Sequence, residues 1–154
     1  MKKIILFLFI SLLTMYCFLG KRSSTENNSS DEVIKVMEPV YLDYVQEIHL
    51  NQDEYMGKTI EIEGMFTSKY DEIENKTFYY IYRLSDNIHY HDDKKEIEEV
   101  MSGFKLTYDK VMPKEKEWIK VIGVLEKEDN DIVIKATSIT TMQERGLEKV
   151  TSFY

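Results

Sequence analysis

The chain has 154 residues, of which 43 % are apolar and 12 % aromatic, and its formal net charge is −8. This length allows one ordinary domain with its own hydrophobic core. Nucleic-acid binding draws most of its non-specific affinity from Lys and Arg, so the acidic balance argues against a nucleic-acid partner. A single cysteine excludes a disulfide within the chain.

The first twenty residues have the pattern of an export signal. Two lysines precede an apolar stretch that ends near Cys17, and a basic start followed by a short apolar segment is typical of such signals. We therefore predict a signal over residues 1–20 and an extracytoplasmic location in a bacterial cell envelope. Cys17 lies where bacterial lipoproteins carry their lipidated cysteine, although the bulky Tyr16 departs from the usual small residue. Lipidation at Cys17 would attach the protein to the membrane; the alternatives are an uncleaved membrane anchor and cleavage after Gly20.

A polar segment and a helix follow the signal. Residues 21–36 are predicted to be a flexible linker, because their first part contains no large apolar residue. The remaining residues, 37–154, are predicted to form the domain. In residues 40–50 apolar side chains recur every three or four positions, which predicts an amphipathic helix, and Pro39 suits a helix start.

After Gly57 the apolar period changes from about 3.6 to 2, which indicates strands. Five strands are predicted, over residues 58–66, 78–84, 104–108, 118–125 and 132–139. The segment 91–101 is predicted to be a short exposed helix, because an aspartate can cap its start and its few apolar residues form one narrow edge. Gly64 and Gly123 lie inside strands and indicate sharp coiling. We expect a mainly β protein with minor α content: a small five-stranded OB-like barrel preceded by a short N-terminal helix. A five-stranded open sheet is the alternative.

Two segments carry a resemblance to a known family. Residues 53–66 (DEYMGKTIEIEGMF) and 116–128 (KEWIKVIGVLEKE) resemble the soluble C-terminal OB-like domain of YcgQ-type bacterial membrane proteins, the partners of a permease-like protein. The resemblance extends over most of residues 41–154. It implies an extracytoplasmic OB-like module that serves a transporter or an envelope complex. That family usually carries a cysteine pair after the second strand; this chain has LSDNIHYHDD at 84–93 instead, so functions that depend on those cysteines do not transfer.

The sequence HYHDD at 89–93 is the sharpest local cluster of chemically active side chains. His89 and His91 are two residues apart and would point the same way on an extended segment, and Asp92 and Asp93 would complete a zinc site of nitrogen and oxygen ligands. A solvated loop without metal is the alternative interpretation. Zinc is the one cofactor that the sequence suggests, and the leading expectation is no cofactor.

Several tyrosines alternate along the predicted strands. Tyr80, Tyr82 and Tyr108 are candidates for an OB binding face, where aromatic rings stack on bases or sugars; Tyr79 and Tyr90 belong to the same set. Ordinary cross-strand packing is the alternative.

The sequence contains no Ser/His/Asp set, phosphate-binding loop or thiol nucleophile in a recognisable pattern, so we expect no enzymatic activity. These observations together favour a membrane-tethered, extracytoplasmic OB-like binding or accessory module of unknown ligand. Its expected partners are the membrane, through the lipid anchor, and an envelope or permease protein. The alternative is a zinc-binding envelope lipoprotein that uses His89, His91 and the nearby acids.

Overall fold

The computed structural model describes residues 33–91 and 94–152. Six strands and three short helical segments follow one another along this part of the chain. In order, they are β1 (Ile34–Val36), a 3₁₀ turn (Glu38–Val40), α1 (Tyr41–Leu50), α2 (Gln52–Tyr55), β2 (Thr59–Asp71), β3 (Lys76–His91), β4 (Lys94–Thr107), β5 (Trp118–Glu128) and β6 (Asp131–Thr141). None of the helices among these residues is long and apolar enough to cross a bilayer.

Five of the strands close into a barrel. β2 pairs antiparallel with both β3 and β5, β3 pairs antiparallel with β4, and β5 pairs antiparallel with β6. A short parallel pairing of β4 with β6 completes the ring, so the strand order is β2-β3-β4-β6-β5 and back to β2. This is the topology of a five-stranded OB-type barrel. The predicted fold class, a mainly β five-stranded OB-like barrel preceded by a short N-terminal helix, is confirmed.

The first strand lies within the segment predicted to be a linker. β1 pairs parallel with β2, which places Ile34 beside Ile60 and Val36 beside Ile62. Val36 is buried in the core, because its side chain packs against the interior residues of the barrel. The end of the 21–36 segment therefore belongs to the sheet, and the structure describes that segment only from residue 33 onward.

The length of β2 lets one strand serve both halves of the barrel. Its first half pairs with β5, its second half pairs with β3, and the exchange occurs at Met65. Gly64 lies next to this point, where a Cβ atom would be 2.7 Å from the carbonyl oxygen of Tyr82. A side chain there would push β3 away, so the glycine permits the close approach of the two strands.

The core fills the barrel, and α1 covers it. The helix buries four side chains at three- and four-residue spacing, Tyr41, Leu42, Val45 and Ile48, as the apolar stripe predicts. The hydroxyl of Tyr41 donates a hydrogen bond to the carbonyl oxygen of Ser102, at 3.1 Å, and so fixes α1 against β4. The buried barrel residues are mainly branched aliphatics and phenylalanines: Ile60, Ile62, Phe66, Ile81, Phe104, Leu106, Ile119, Val121, Leu125, Ile132 and Ile134.

The predicted helix over residues 91–101 is wrong. β3 continues to His91 and β4 begins at Lys94, and the pairing is unbroken from Tyr79 opposite Leu106 to His91 opposite Lys94. Residues 94–99 are all exposed, so no buried apolar side of a helix stabilises this segment. Their backbone instead finds hydrogen-bond partners in β3, and cross-strand pairing of this kind overrides a marginal local preference. We call the projecting part, residues 86–91 and 94–100, the hairpin arm.

Candidate functional site

A cavity of about 530 Å³ opens on the outer face of β3 and β4. Ile81 and Arg83 are buried, so the alternation of a strand puts Tyr80 and Tyr82 on the opposite, outer side. The cavity draws residues from five segments of the chain: Lys69 of β2, Tyr80 and Tyr82 of β3, Gly103 and Lys105 of β4, Asn130 and Asp131 at the β5–β6 turn, and His49 and Gln52 of the helical segment. The β5–β6 turn and the faces of these strands surround the ligand position that OB-type barrels use.

Cations and aromatic rings alternate across this face. The ammonium group of Lys69 lies 5.8 Å from the ring centroid of Tyr80. The ammonium groups of Lys105 and Lys76 lie 4.4 Å and 5.0 Å from the ring centroid of Phe78. These distances are within the range of cation–π attraction, so the lysine heads are held over the rings that line the face.

One ion pair lies in the lining of the cavity. Lys105 donates to the carboxylate of Asp131, and this hydrogen bond raises the pKa of the Lys105 ammonium group. On the neighbouring strand, burial raises the pKa of the Tyr82 hydroxyl, and the charges of Glu115 and Glu148 add to the effect. Tyr82 is therefore a neutral hydrogen-bonding group, and Lys105 and Asp131 largely cancel each other's charge.

His49 forms one wall of the same cavity. Its ring stacks on Phe104 at a centroid distance of 5.1 Å, and its Nε2 atom is 3.1 Å from the carbonyl oxygen of Gly103. These contacts hold the imidazole in place, so His49 contributes a fixed polar edge.

The three predicted tyrosines do not form one face. Tyr80 and Tyr82 line the outer-face cavity, whereas Tyr108 lines a second cavity of about 210 Å³ together with Tyr79 and Met112. The separation follows from alternation along β4, because Phe104 and Leu106 point into the core and Tyr108, the residue directly after the strand, lines the second cavity together with Leu106.

The zinc prediction remains a prediction. His89 is exposed on the hairpin arm, and its Nε2 atom is 3.9 Å from a carboxylate oxygen of Glu98. The side chain of His91 and the whole of Asp92 and Asp93 lie outside the described residues. Within 33–91 and 94–152, no three His, Cys, Asp or Glu side chains form a group that could hold a metal ion. The predicted lipidation site, Cys17, also lies outside the described residues.

A buried arginine is the polar group that sequence reasoning missed. Arg83 is 2 % exposed. It donates hydrogen bonds to the carbonyl oxygens of Glu63 and Leu147, at 3.0 Å and 3.1 Å, and to the carboxylate of Glu38, at 2.9 Å. Its guanidinium carbon lies 4.8 Å from the ring centroids of both Tyr41 and Trp118. Arg83 thus joins distant segments of the chain, and these hydrogen bonds and ring contacts all lie within the fold.

Glu38 accepts a second hydrogen bond at the same point. The backbone N–H of Leu147 donates to its carboxylate at 2.7 Å. This bond, followed by the one from Arg83, lowers the pKa of the Glu38 carboxyl group. The Glu38 carboxylate therefore connects the 3₁₀ turn to the segment around Leu147. This segment then runs beside β3, where Lys149 forms a parallel β-bridge with Leu84.

Other residues of the outer-face cavity also escaped prediction. Lys105 occupies an outward position of a predicted strand, so strand alternation was a usable signal for it. Asp131 is 26 residues away in sequence, and no local pattern indicates that it meets Lys105.

Comparison with known proteins gives three findings. A comparison with curated proteins finds no match. A comparison with solved structures finds the solution NMR structure of the second OB-fold domain of replication protein A from Methanococcus maripaludis, at 9 % sequence identity and a TM-score of 0.24. The alignment covers 59 % of this chain and 88 % of that one. The family model of the DUF1980 C-terminal domain matches residues 20–154, which include every strand of the barrel. This match confirms the resemblance to an OB-like C-terminal domain, and the chain belongs to the DUF1980 C-terminal domain family.

Proposed function

We propose that this OB-like domain is a membrane-tethered, extracytoplasmic binding module without enzymatic activity, and that it holds its ligand in the outer-face cavity. The observation that carries the proposal is the cavity itself, where Tyr80, Tyr82 and Lys105 meet residues of the β5–β6 turn. OB-type barrels use this face and its flanking loops for oligomeric ligands. The tether and the compartment rest on the pattern of residues 1–20 and on Cys17.

The lining favours a polar ligand with flat faces. Tyrosine rings offer stacking surfaces, while the amides of Gln52 and Asn130 and the pair formed by Lys105 and Asp131 offer hydrogen bonds to hydroxyl groups. A nucleic acid is disfavoured by the net charge of −8. An oligosaccharide, the other ligand class of OB-type barrels, matches this chemistry.

The test is isothermal titration calorimetry, in which a soluble N-acetylglucosamine tetramer is titrated into the full chain in detergent. A single-stranded thymidine decamer is the comparison ligand. We expect Tyr80→Ala to weaken sugar binding by about tenfold, which is at the lower end of the range of about 1–3 kcal/mol for one base–aromatic stacking contact. Tyr70→Ala is the matched control, since Tyr70 is 61 % exposed and lies outside the cavity lining. Equal sugar affinity of the two variants, or tighter binding of the decamer, would contradict the proposal.

The same module would serve an envelope or permease protein as an accessory subunit. Crosslinking in native membranes, followed by purification of the tagged protein and mass spectrometry, tests this partner. Reproducible recovery of one permease in comparable amount is the expected result. Recovery of background proteins only would count against the accessory role.

A zinc-binding role is the second candidate, and the position of His89 beside Glu98 favours it. On this alternative, zinc raises the melting temperature, and the combined substitution His89→Ala with His91→Ala abolishes the rise. An undiminished rise in the double variant would remove this site from consideration.

A further inference from the structure

The second cavity, of about 210 Å³, opens where β3 and β4 separate. The pairing of these two strands ends at Tyr79 opposite Leu106, although β3 begins earlier, at Lys76. Over Lys105–Thr107 β4 also pairs with β6, which draws its end away from β3. A gap therefore remains beside Tyr79 and Leu106, and we call it the apolar cavity.

Apolar side chains make up most of the interior of the apolar cavity. Leu106 and Val133 are its buried lining residues, and Tyr79, Tyr108 and Met112 line it while half-buried. An apolar cavity of about 150 Å³ can hold a benzene ring. The apolar cavity therefore has room for one compact ring system or a short alkyl group, and it is too small for the acyl chain of a membrane lipid.

The charged residues around the apolar cavity compensate one another. Lys76, Lys105, Asp109 and Glu128 belong to its lining, which gives equal numbers of positive and negative charges. Lys76, Asp109 and Glu128 are exposed and therefore hydrated, and Lys105 donates to Asp131. An ionised group would lose hydration in this cavity without a net charge to attract it. The lining therefore favours an uncharged apolar group.

The apolar cavity adjoins the outer-face cavity at Lys105. This residue lines both cavities, and its ammonium group lies 4.4 Å from the ring centroid of Phe78, which also lines the apolar cavity. Phe78 and Tyr80 are two residues apart on β3, so their side chains lie on the same side of the strand at a spacing of about 7 Å. A ligand that stacks one ring on Tyr80 thus has its neighbouring unit beside Phe78, at the edge of the apolar cavity.

We propose that the apolar cavity holds an apolar group attached to the end of the oligosaccharide, so that the ligand is a glycoside with one compact, uncharged aglycone. This inference rests on the proposed function, because the sugar part occupies the outer-face cavity. There the polar lining orients the sugar rings through hydrogen bonds. The apolar cavity adds affinity by removing the aglycone from water.

Two sugars that differ only in the aglycone test this inference. They are the free N-acetylglucosamine tetramer and its 4-methylumbelliferyl glycoside, which carries one bicyclic aromatic group. Each is titrated by calorimetry into the full chain in phosphatidylcholine nanodiscs, because free detergent would compete for an apolar cavity; empty nanodiscs are the blank. We expect the parent chain to bind the glycoside about tenfold more tightly than the free tetramer, because the aglycone buries apolar surface.

Substitutions in the lining separate the apolar cavity from the sugar site. Met112→Ala removes part of the apolar lining and should cut the advantage of the glycoside to about threefold or less. Met112 packs against the core, so Tyr108→Ala is the second variant, with the same expected result. Tyr80→Ala should weaken the binding of both sugars and keep the parent's ratio. Val111→Ala is the matched control, because Val111 precedes Met112, is 91 % exposed and lies outside both linings.

The outcomes distinguish this inference from the proposed function. A glycoside advantage in the parent and in Val111→Ala that is lost in both lining variants supports the inference. Equal affinity of the parent for the two sugars, or the full advantage kept in both lining variants, would overturn it and leave the sugar site in place. Failure of both sugars to bind the parent would overturn the proposed function, and this inference with it.

Discussion

Replacement of Arg83 by methionine should lower the free energy of unfolding by about 3 kcal/mol. Methionine has a similar volume but donates no hydrogen bond, so the carbonyl oxygens of Glu63 and Leu147 lose the donor they have in Arg83. An unsatisfied buried acceptor costs about 1–3 kcal/mol; both bonds are partly buried and Leu147 is 60 % exposed, so the two together cost about 2–4 kcal/mol. The carboxylate of Glu38 is 38 % exposed and can be hydrated, so its contribution is small. Relief from burying the guanidinium group offsets part of the total.

Urea unfolding followed by tryptophan fluorescence measures this loss. Trp118 is the only tryptophan in the chain, and its ring is 4.8 Å from the guanidinium carbon, so its emission reports on the cluster directly. With an m value of about 2 kcal/mol per molar urea, the midpoint should fall by about 1.5 M. Lys120→Met is the matched control: Lys120 is half-buried and forms a surface ion pair with Glu63 at 2.9 Å, and loss of such a pair costs about 0–1 kcal/mol. A loss below about 1 kcal/mol for Arg83→Met would refute the assignment of Arg83 as the buried link between these segments.

Three further predictions concern other parts of the fold. Gly103→Ala should lower the free energy of unfolding by at least about 2 kcal/mol, because its Cβ would lie 2.0 Å from the carbonyl oxygen of Ile81. Gly57→Ala should lower it by about 1 kcal/mol, because Gly57 has a positive φ but open space around it. Equal shifts in melting temperature for the two variants would contradict this. Glu38→Gln should reduce stability most at neutral pH: the folded pKa of Glu38 is lowered, so its contribution is present above about pH 4.5 and is lost as the pH falls through the folded pKa. Unfolding measured from about pH 6 to about pH 3 should therefore show the two proteins converge, and a constant difference would count against the carboxylate's role. Replacement of residues 87–98 by Asn-Gly should leave the free energy of unfolding within about 1 kcal/mol of the parent, because the side chains described in this segment, at 87–90 and 94–98, are exposed. An unfolded product would show that the barrel depends on the hairpin arm.

The elements that the sequence predicted correctly depend on neighbours along the chain. The stripe of α1 and the alternation at the start of β2 and along β5 are local patterns, because each buries one side of its element against the core. Gly64 also signalled its role locally, as a glycine inside an alternating strand. The observed strands nevertheless extend further than predicted, since their polar ends gain partners rather than burial: β2 continues to Asp71 and β3 to His91.

Tertiary structure decided the features that depend on residues far apart in sequence. Lys105 meets Asp131 across 26 positions, and Arg83 meets Leu147 across 64; no periodicity encodes such a contact. The wrong helix at 91–101 has a different reason, because its backbone hydrogen bonds went to the adjacent strand β3. The division of the tyrosines between two cavities follows from strand alternation. The sequence by itself determined which residues face the core, because burial of apolar side chains is read from local period. The closure of the barrel determined which polar groups meet, because hydrogen bonds and ion pairs require atoms that only the folded chain brings within about 3 Å of each other.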